Sequence, residues 1–338
     1  MGQSARELSI ETPSWQEELA NSFQNLEDLL DYLNLDQHAL RASGGRDGVF
    51  PFKVTRSFAA KIEKGNPEDP LLKQILPSVH EFDISEGFSD DPVGDLNAVG
   101  GTGLLHKYAG RVLLIATGAC AVNCRYCFRR NFPYSGNQLS NSARAEALHY
   151  IASRPDIREV ILSGGDPLVM NNPNLENLIR AIAKIDHVER LRIHTRIVSV
   201  LPARIDCGLI RILKTCGLKT VVVTHINHAR EIDESARAAV SRLLTANIRV
   251  LNQAVLLKGV NDDLQTLRDL FENAFDSGIQ PYYLHLLDRA SGTQHFEVPE
   301  TECIALEEGL RSSLPGYLLP RFVREIEGSA FKVPLGNR

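Results

Sequence analysis

The sequence predicts an α/β protein: a partial, TIM-like (β/α)6 barrel behind an N-terminal helical segment. Two observations carry this expectation. From Arg111 onward, short apolar runs alternate about six times with stretches of helical period, a pattern that implies right-handed βαβ units around a parallel sheet. The first hundred residues lack that rhythm and read as short helices followed by a loop-rich stretch.

Taken in order, Ser14–Leu33 has apolar residues at helical spacing (Leu19, Phe23, Leu26, Leu29, Leu30 and Leu33) behind a Ser14 cap, which predicts one amphipathic helix. Shorter helices are expected near Gln37–Ala42, Ser57–Lys64 and Asp69–Leu76. The Gly-, Asp- and Pro-rich stretch Glu81–Gly103 reads as loop, so a boundary is placed near residue 100, dividing 1–100 from 101–338. Strands are expected at Val112–Thr117, Glu159–Ser163, Arg190–His194, Lys219–His225, Arg249–Leu256, Tyr282–Leu287 and Phe322–Ile326. Helices between them are expected at Ala143–Ser153, Asn174–Lys184, Asp206–Cys216, Asp233–Ala246, Leu264–Asp276 and Thr301–Leu314. In such folds ligands sit at the C-terminal ends of the strands, so each chemical motif should follow a strand.

Bulk composition narrows the class. A chain of 338 residues, 43% hydrophobic and 23% charged, suits one large domain or a catalytic domain with an appendage. A net charge of −5 argues against bulk attraction to nucleic acid or to an anionic membrane. Runs such as Val112–Ala116 are too short to span a bilayer, and no basic-then-apolar leader opens the chain, so it reads as cytoplasmic. Three of the six cysteines fall within eight residues, which favours a metal or cluster site in a reducing compartment over a disulfide scaffold.

Those three are Cys120, Cys124 and Cys127, directly after the first barrel strand. Thiolates suit iron–sulfur clusters and zinc. A structural zinc wants four protein ligands, and no fourth is evident, because Cys207, Cys216 and Cys303 are scattered over helix or core positions. Three thiolates on a four-iron cluster leave one iron open, able to chelate the amino and carboxylate groups of S-adenosylmethionine (SAM) and to pass it an electron. Ser163-Gly164-Gly165-Asp166-Pro167 ends the second strand. Its glycines permit close backbone approach to a ligand, and exposed amides with the Asp166 carboxylate suit the SAM ammonium.

With these motifs in view, residues 100–336 resemble the radical SAM superfamily and, within it, the lysine 2,3-aminomutase family. The marks are Gly103-Leu-Leu-His-Lys-Tyr-Ala-Gly-Arg-Val, the cysteine run with Phe-Arg-Arg after it, Leu162-Ser-Gly-Gly-Asp-Pro-Leu and Arg196-Ile-Val-Ser-Val-Leu-Pro-Ala-Arg-Ile. Thr224-His-Ile-Asn-His, Asn252-Gln-Ala-Val-Leu-Leu-Lys-Gly-Val-Asn-Asp and Tyr282-Tyr-Leu-His-Leu-Leu-Asp complete them. The resemblance implies a [4Fe-4S] cluster, SAM and pyridoxal 5′-phosphate (PLP) as cofactors, and a shift of an amino group between neighbouring carbons of lysine.

Matched position by position, the resemblance makes Lys332 the catalytic lysine that holds PLP, although the family's glycine-rich run before it is here Gly328-Ser-Ala-Phe. It places Tyr108 near the PLP ring oxygen and Arg111 at the phosphate. Arg129 matches the arginine that pairs with the substrate carboxylate. Asp288 matches a carboxylate that holds the far ammonium of lysine, and Glu325 stands where the family has a second such aspartate. His225, Asn252 and Gln253, with Gly164, Gly165 and Asp166, are expected on the SAM side. Clostridial-type enzymes carry a C-terminal cysteine cluster for zinc. Here the chain ends six residues past Lys332, and Asp263 replaces the family's partner cysteine. That short form resembles the aminomutase that makes (R)-β-lysine for elongation factor P. Its implied partners are the factor or its β-lysine ligase, and a reducing donor such as flavodoxin. Open beside this stand an aminomutase for another amino acid such as glutamate, a catabolic lysine enzyme, an ordinary PLP enzyme and a zinc-binding structural protein.

Overall fold

A computed structural model of the chain describes residues 14–36, 50–137 and 139–336. Among them are ten strands: β1 (Val99–Gly101), β2 (Leu104–Tyr108), β3 (Arg111–Thr117), β4 (Glu159–Gly164), β5 (Arg190–Thr195), β6 (Lys219–Thr224), β7 (Arg249–Val255), β8 (Gln280–His285), β9 (Arg321–Arg324) and β10 (Val333–Pro334). They form one sheet in sequence order, with β1 and β10 at its two ends. Strands β3 to β9 are parallel, giving six crossovers that carry the helices Asn141–Ala152, Asn172–Ala183, Cys207–Thr215, Glu234–Thr245, Leu264–Asp276 and Glu300–Ser313. The expected partial (β/α)6 barrel is the observed architecture.

Most of the crossover helices begin where the sequence supplies a side-chain acceptor for the first free amides. Asp206, Asp233 and Asp263 each accept from the backbone three residues on, and so set the starts of their helices. Asp263, read from sequence only as a lost cysteine, is thus the N-cap of Leu264–Asp276. The helices press their apolar stripes on the outer face of the sheet. There Leu114, Leu162, Ile193, Val222 and Val250 join Leu178, Leu209, Val240 and Phe271 in one core. Burying each such side chain contributes about 1.5–3 kcal/mol.

Three features depart from expectation. The helix expected over Ser14–Leu33 is two, Trp15–Ala20 and Leu26–Tyr32. Ser14 caps the first, but Asn25 caps the second, and between them Phe23 exchanges backbone hydrogen bonds with Val54. The stretch read as loop before residue 103 ends in the antiparallel hairpin β1–β2–β3 at one sheet edge, and the short β10 turns back on β9 at the other. The helices near Ser57 and Asp69 are single turns, Arg56–Ala59 and Pro70–Lys73, and the one at Gln37–Ala42 lies outside the described residues. The described residues before 100 dock on the barrel. Leu29, Phe58, Leu71 and Ile75 belong to the barrel's core, and Lys61 Nζ donates to the Ser199 and Glu231 carbonyls, each at 2.8 Å. No described helix is long and apolar enough to cross a membrane.

A parallel sheet covered by helices on both faces is apolar throughout. Here burial alternates residue by residue along β5 and β7. The second face carries Arg192, His194, Gln253 and Tyr283, and it is not covered by helices: it lines a cavity.

Candidate active site

That cavity gathers Tyr108, Arg111, Cys120, Cys124, Cys127, Arg129, Gly164, Gly165, Asp166, His225, Gln253, Asp288, Glu325 and Lys332 into one space. Most follow a strand, as the barrel rule requires: the cysteines follow β3, the glycines close β4, His225 follows β6 and Asp288 follows β8. Tyr108 and Arg111 do not. They flank the β2–β3 turn, where the parallel strands begin, because the hairpin carries them to the other end of β3. There the Arg111 guanidinium lies 4.5 Å from the centre of the Tyr108 ring.

At the cysteine end, burial pushes the Cys120 thiol well up and the Cys127 thiol to about 11, and the neighbouring sulfurs add to both shifts. Three thiolates can share this space only with positive charge among them. A cationic iron cluster supplies that charge, so the donor set fits one. Across from the loop, Gly164 has φ +118, in the region that favours glycine. A Cβ on Gly165 would collide with the Ala119 carbonyl, and one on Gly164 would meet the Thr117 oxygen at 2.5 Å. The two glycines therefore let β4 close against the cysteine loop and leave backbone facing the cavity.

Asp166 differs from its expected part. Its oxygens accept from the Thr195 hydroxyl at 2.8 and 2.9 Å, from the Arg196 amide at 2.7 Å and from the Leu168 amide at 3.0 Å. With those lone pairs engaged, the carboxylate braces β4 against β5 and leaves the glycine backbone to face a ligand. Asn252 is also a brace: it bonds the Ile226 amide and carbonyl and the Thr224 hydroxyl, and does not line the cavity. His225 does line it, with Nε2 buried and unpartnered, and burial holds its pKa down at about 4.

The far side holds a chain of alternating charges. Lys332 pairs with Glu325, Glu325 lies 3.4 Å from Lys107, Lys107 lies 2.7 Å from Asp95, and Asp95 lies 2.7 Å from Arg129 Nε. Arg129 Nη1 also donates to Ser163 Oγ at 3.2 Å. Burial works against the charged forms of Asp95 and Glu325. The cations beside them outweigh it and hold both below the usual carboxylate range. Asp288 has no such neighbour in contact. Burial drives it up to about 7, with Lys332 pulling back and Glu325 adding to the rise, and its Oδ1 is buried without a partner. An unpartnered buried carboxylate is costly, and an incoming ammonium removes that cost.

Sequence reasoning missed Asp95, Lys107, His194, Arg196 and His285. Asp95 sits in a stretch whose composition signals only loop. His194 carried a signal, since with Arg190 and Arg192 it puts a polar residue at every second position of β5, whereas β8 around His285 shows no such alternation.

Residues 114–271 match the model of the Radical SAM superfamily. Among curated proteins, the chain is 44% identical over 332 residues to the L-lysine 2,3-aminomutase of Escherichia coli (strain K12), covering 97% of each chain. It is 45% identical over 322 residues to that of Haemophilus influenzae (strain ATCC 51907 / DSM 11121 / KW20 / Rd), covering 95% of each. It is 33% identical over 322 residues to that of Clostridium subterminale, covering 95% of this chain and 77% of the relative.

Proposed function

Because the chain belongs to the lysine 2,3-aminomutase family of radical SAM enzymes, we propose that it moves the α-amino group of L-lysine to the β-carbon, using a [4Fe-4S] cluster, SAM and PLP. The observation that carries this reading is the one cavity joining three half-buried thiols to Lys332, Arg129 and Asp288.

Bound there, the cofactors would supply a hydrogen-abstracting radical and an electron sink for the amino shift. The chain's own groups do the rest. Cys120, Cys124 and Cys127 would hold the cluster, and the Gly164–Gly165 backbone with His225 and Gln253, which line the cavity, would face SAM. Lys332 offers the amine for PLP. Glu325 beside it accepts a hydrogen bond from Lys332 Nζ and holds that side chain in the cavity. Tyr108 and Arg111, which line the same cavity, would meet the PLP ring oxygen and phosphate.

Arg129 would take the substrate carboxylate through guanidinium edges not engaged by Asp95, and Asp288, with Glu325 nearby, the far ammonium. The two groups set lysine's length and direction by opposite charges at its ends. A glutamate side chain would bring a second carboxylate toward Asp288 and Glu325, which disfavours that substrate. We assign the product as (R)-β-lysine for elongation factor P, with the factor or its ligase as downstream partner, flavodoxin as donor and the cytoplasm as compartment. Supporting this is Asp263 in the family's cysteine position, a mark of the short form that the chain resembles.

The test is anaerobic incubation with reductant, SAM, PLP and L-lysine, followed by chiral chromatography. β-Lysine formed only with all components supports the reading. Turnover without SAM, or none with a fully loaded enzyme, refutes it.

A further inference from the structure

Arg196 is the first residue after β5, and its side chain contacts the cysteine loop. Its amide is tied to Asp166 Oδ2 at 2.7 Å, which fixes it to the glycine turn. From there Nη1 donates to Cys124 Sγ at 2.7 Å and to the Tyr126 hydroxyl at 2.7 Å, and Nη2 to Gln74 Oε1 at 2.6 Å. Glu231, fully buried, lies 3.3 Å from Nη2. Glu231 is held in turn by the Gln74 amide and the Asn227 backbone. The Phe58 ring lies 5.1 Å from the guanidinium carbon. A side chain anchored at this many points cannot swing away from the sulfur.

We propose that Arg196 is a positioning residue that sets the reduction potential of the cluster through Cys124, with Glu231 as its counterweight. The inference rests on the cluster assignment above. Reduction adds one electron to a core whose charge spreads onto the ligand sulfurs. A buried cation donating to one of them stabilises the reduced form and raises the potential. Glu231 partly cancels that field, so the two residues act in opposite directions. A wholly structural network would make both substitutions change cluster retention without moving the potential in a defined sense.

The experiment uses full-length protein, reconstituted anaerobically, with iron and sulfide matched between variants. The midpoint is read by redox titration with electron paramagnetic resonance. Arg196→Gln is expected to lower the potential, cutting the reduced-to-oxidised ratio at fixed potential roughly tenfold, about 59 mV for a one-electron couple. Arg196→Lys, which keeps the charge, should recover part of the shift. Glu231→Gln keeps the guanidinium and should raise the potential, and it decides the matter if Arg196→Gln does not load. A wild-type potential in loaded Arg196→Gln, or shifts of the same sign in the Arg196→Gln and Glu231→Gln variants, overturns the inference. A wild-type chain that takes up no four-iron cluster is a separate outcome, which removes the assigned function as well.

Discussion

Asp95 Oδ2 lies 2.7 Å from Arg129 Nε, so the arginine matched to the substrate carboxylate is already braced by an acid 34 residues before it in the chain. Asp95 also grips Lys107, and Lys107 grips Glu325. Arg129, proposed for the substrate carboxylate, and Lys332, proposed for PLP, are therefore joined through three intervening side chains. Perturbing the middle should be felt at both ends.

Asp95→Asn keeps the shape and removes the charge. Breaking a buried pair by deleting one partner costs about 3–5 kcal/mol, so the melting temperature should fall. With Arg129 less firmly aimed, kcat/KM for lysine should drop roughly tenfold, about 1.4 kcal/mol. Steady-state kinetics beside calorimetry check this, and kinetics like wild type would mean that Arg129 needs no brace.

Asp288 should make the enzyme respond to pH near neutrality. Its folded pKa of about 7 lies above its ordinary 3.8, so between those values the folded state binds more protons than the unfolded. This group's contribution to stability is therefore present at low pH and lost as pH rises toward 7. Asp288→Asn should gain stability relative to wild type across that window. In wild type, kcat/KM for lysine should rise through about pH 7 as the carboxylate ionises, and the variant should lack that limb. Parallel pH profiles in both proteins would reject the role.

Asp95 and Glu325 act in the opposite sense. Burial resists their ionisation, but Arg129, Lys107 and Lys332 hold both below the ordinary range. Their contribution is present above that range and is lost as pH falls through their lowered values. Acid titration followed by circular dichroism should show Asp95→Asn less sensitive to acid than wild type below about pH 4.

Gly165→Ala puts a methyl group against the Ala119 carbonyl, which is backbone and cannot swing aside. The cysteine loop must then shift. Iron per chain after reconstitution should fall at least roughly twofold, and SAM affinity roughly tenfold, about 1.4 kcal/mol. The PLP end should be unaffected, as read by borohydride fixation to the Lys332 peptide. That same label should vanish in Lys332→Ala, and a label that stays would move the PLP site elsewhere.

Local patterns made much of this molecule legible in its sequence. Strand and helix alternation from Arg111 marks the barrel, and the C-x3-C-x2-C spacing marks the thiol end. What the sequence hides depends on distant parts of the chain meeting. Nothing in the residues around Asp95 says that its loop folds over Arg129. Nothing around Gln74 says that it shares Arg196 with Glu231. Asp166 misleads for a related reason: a carboxylate after two glycines suggests a ligand until its hydrogen-bond donors are seen. The hairpin at β2 is hidden because glycine-rich composition signals turns without saying what the turns connect.

The placement of Tyr108 and Arg111 at the start of β3, with the cysteines beyond its other end, spaces them by a seven-residue strand, about 23 Å of backbone. Air that strips iron from the sulfur mouth should therefore leave the vitamin-derived cofactor in place at the other. A bleached enzyme would be repaired by iron, sulfide and a thiol reductant with no fresh supply of the second cofactor, and its two prosthetic groups would age and be replaced on separate clocks.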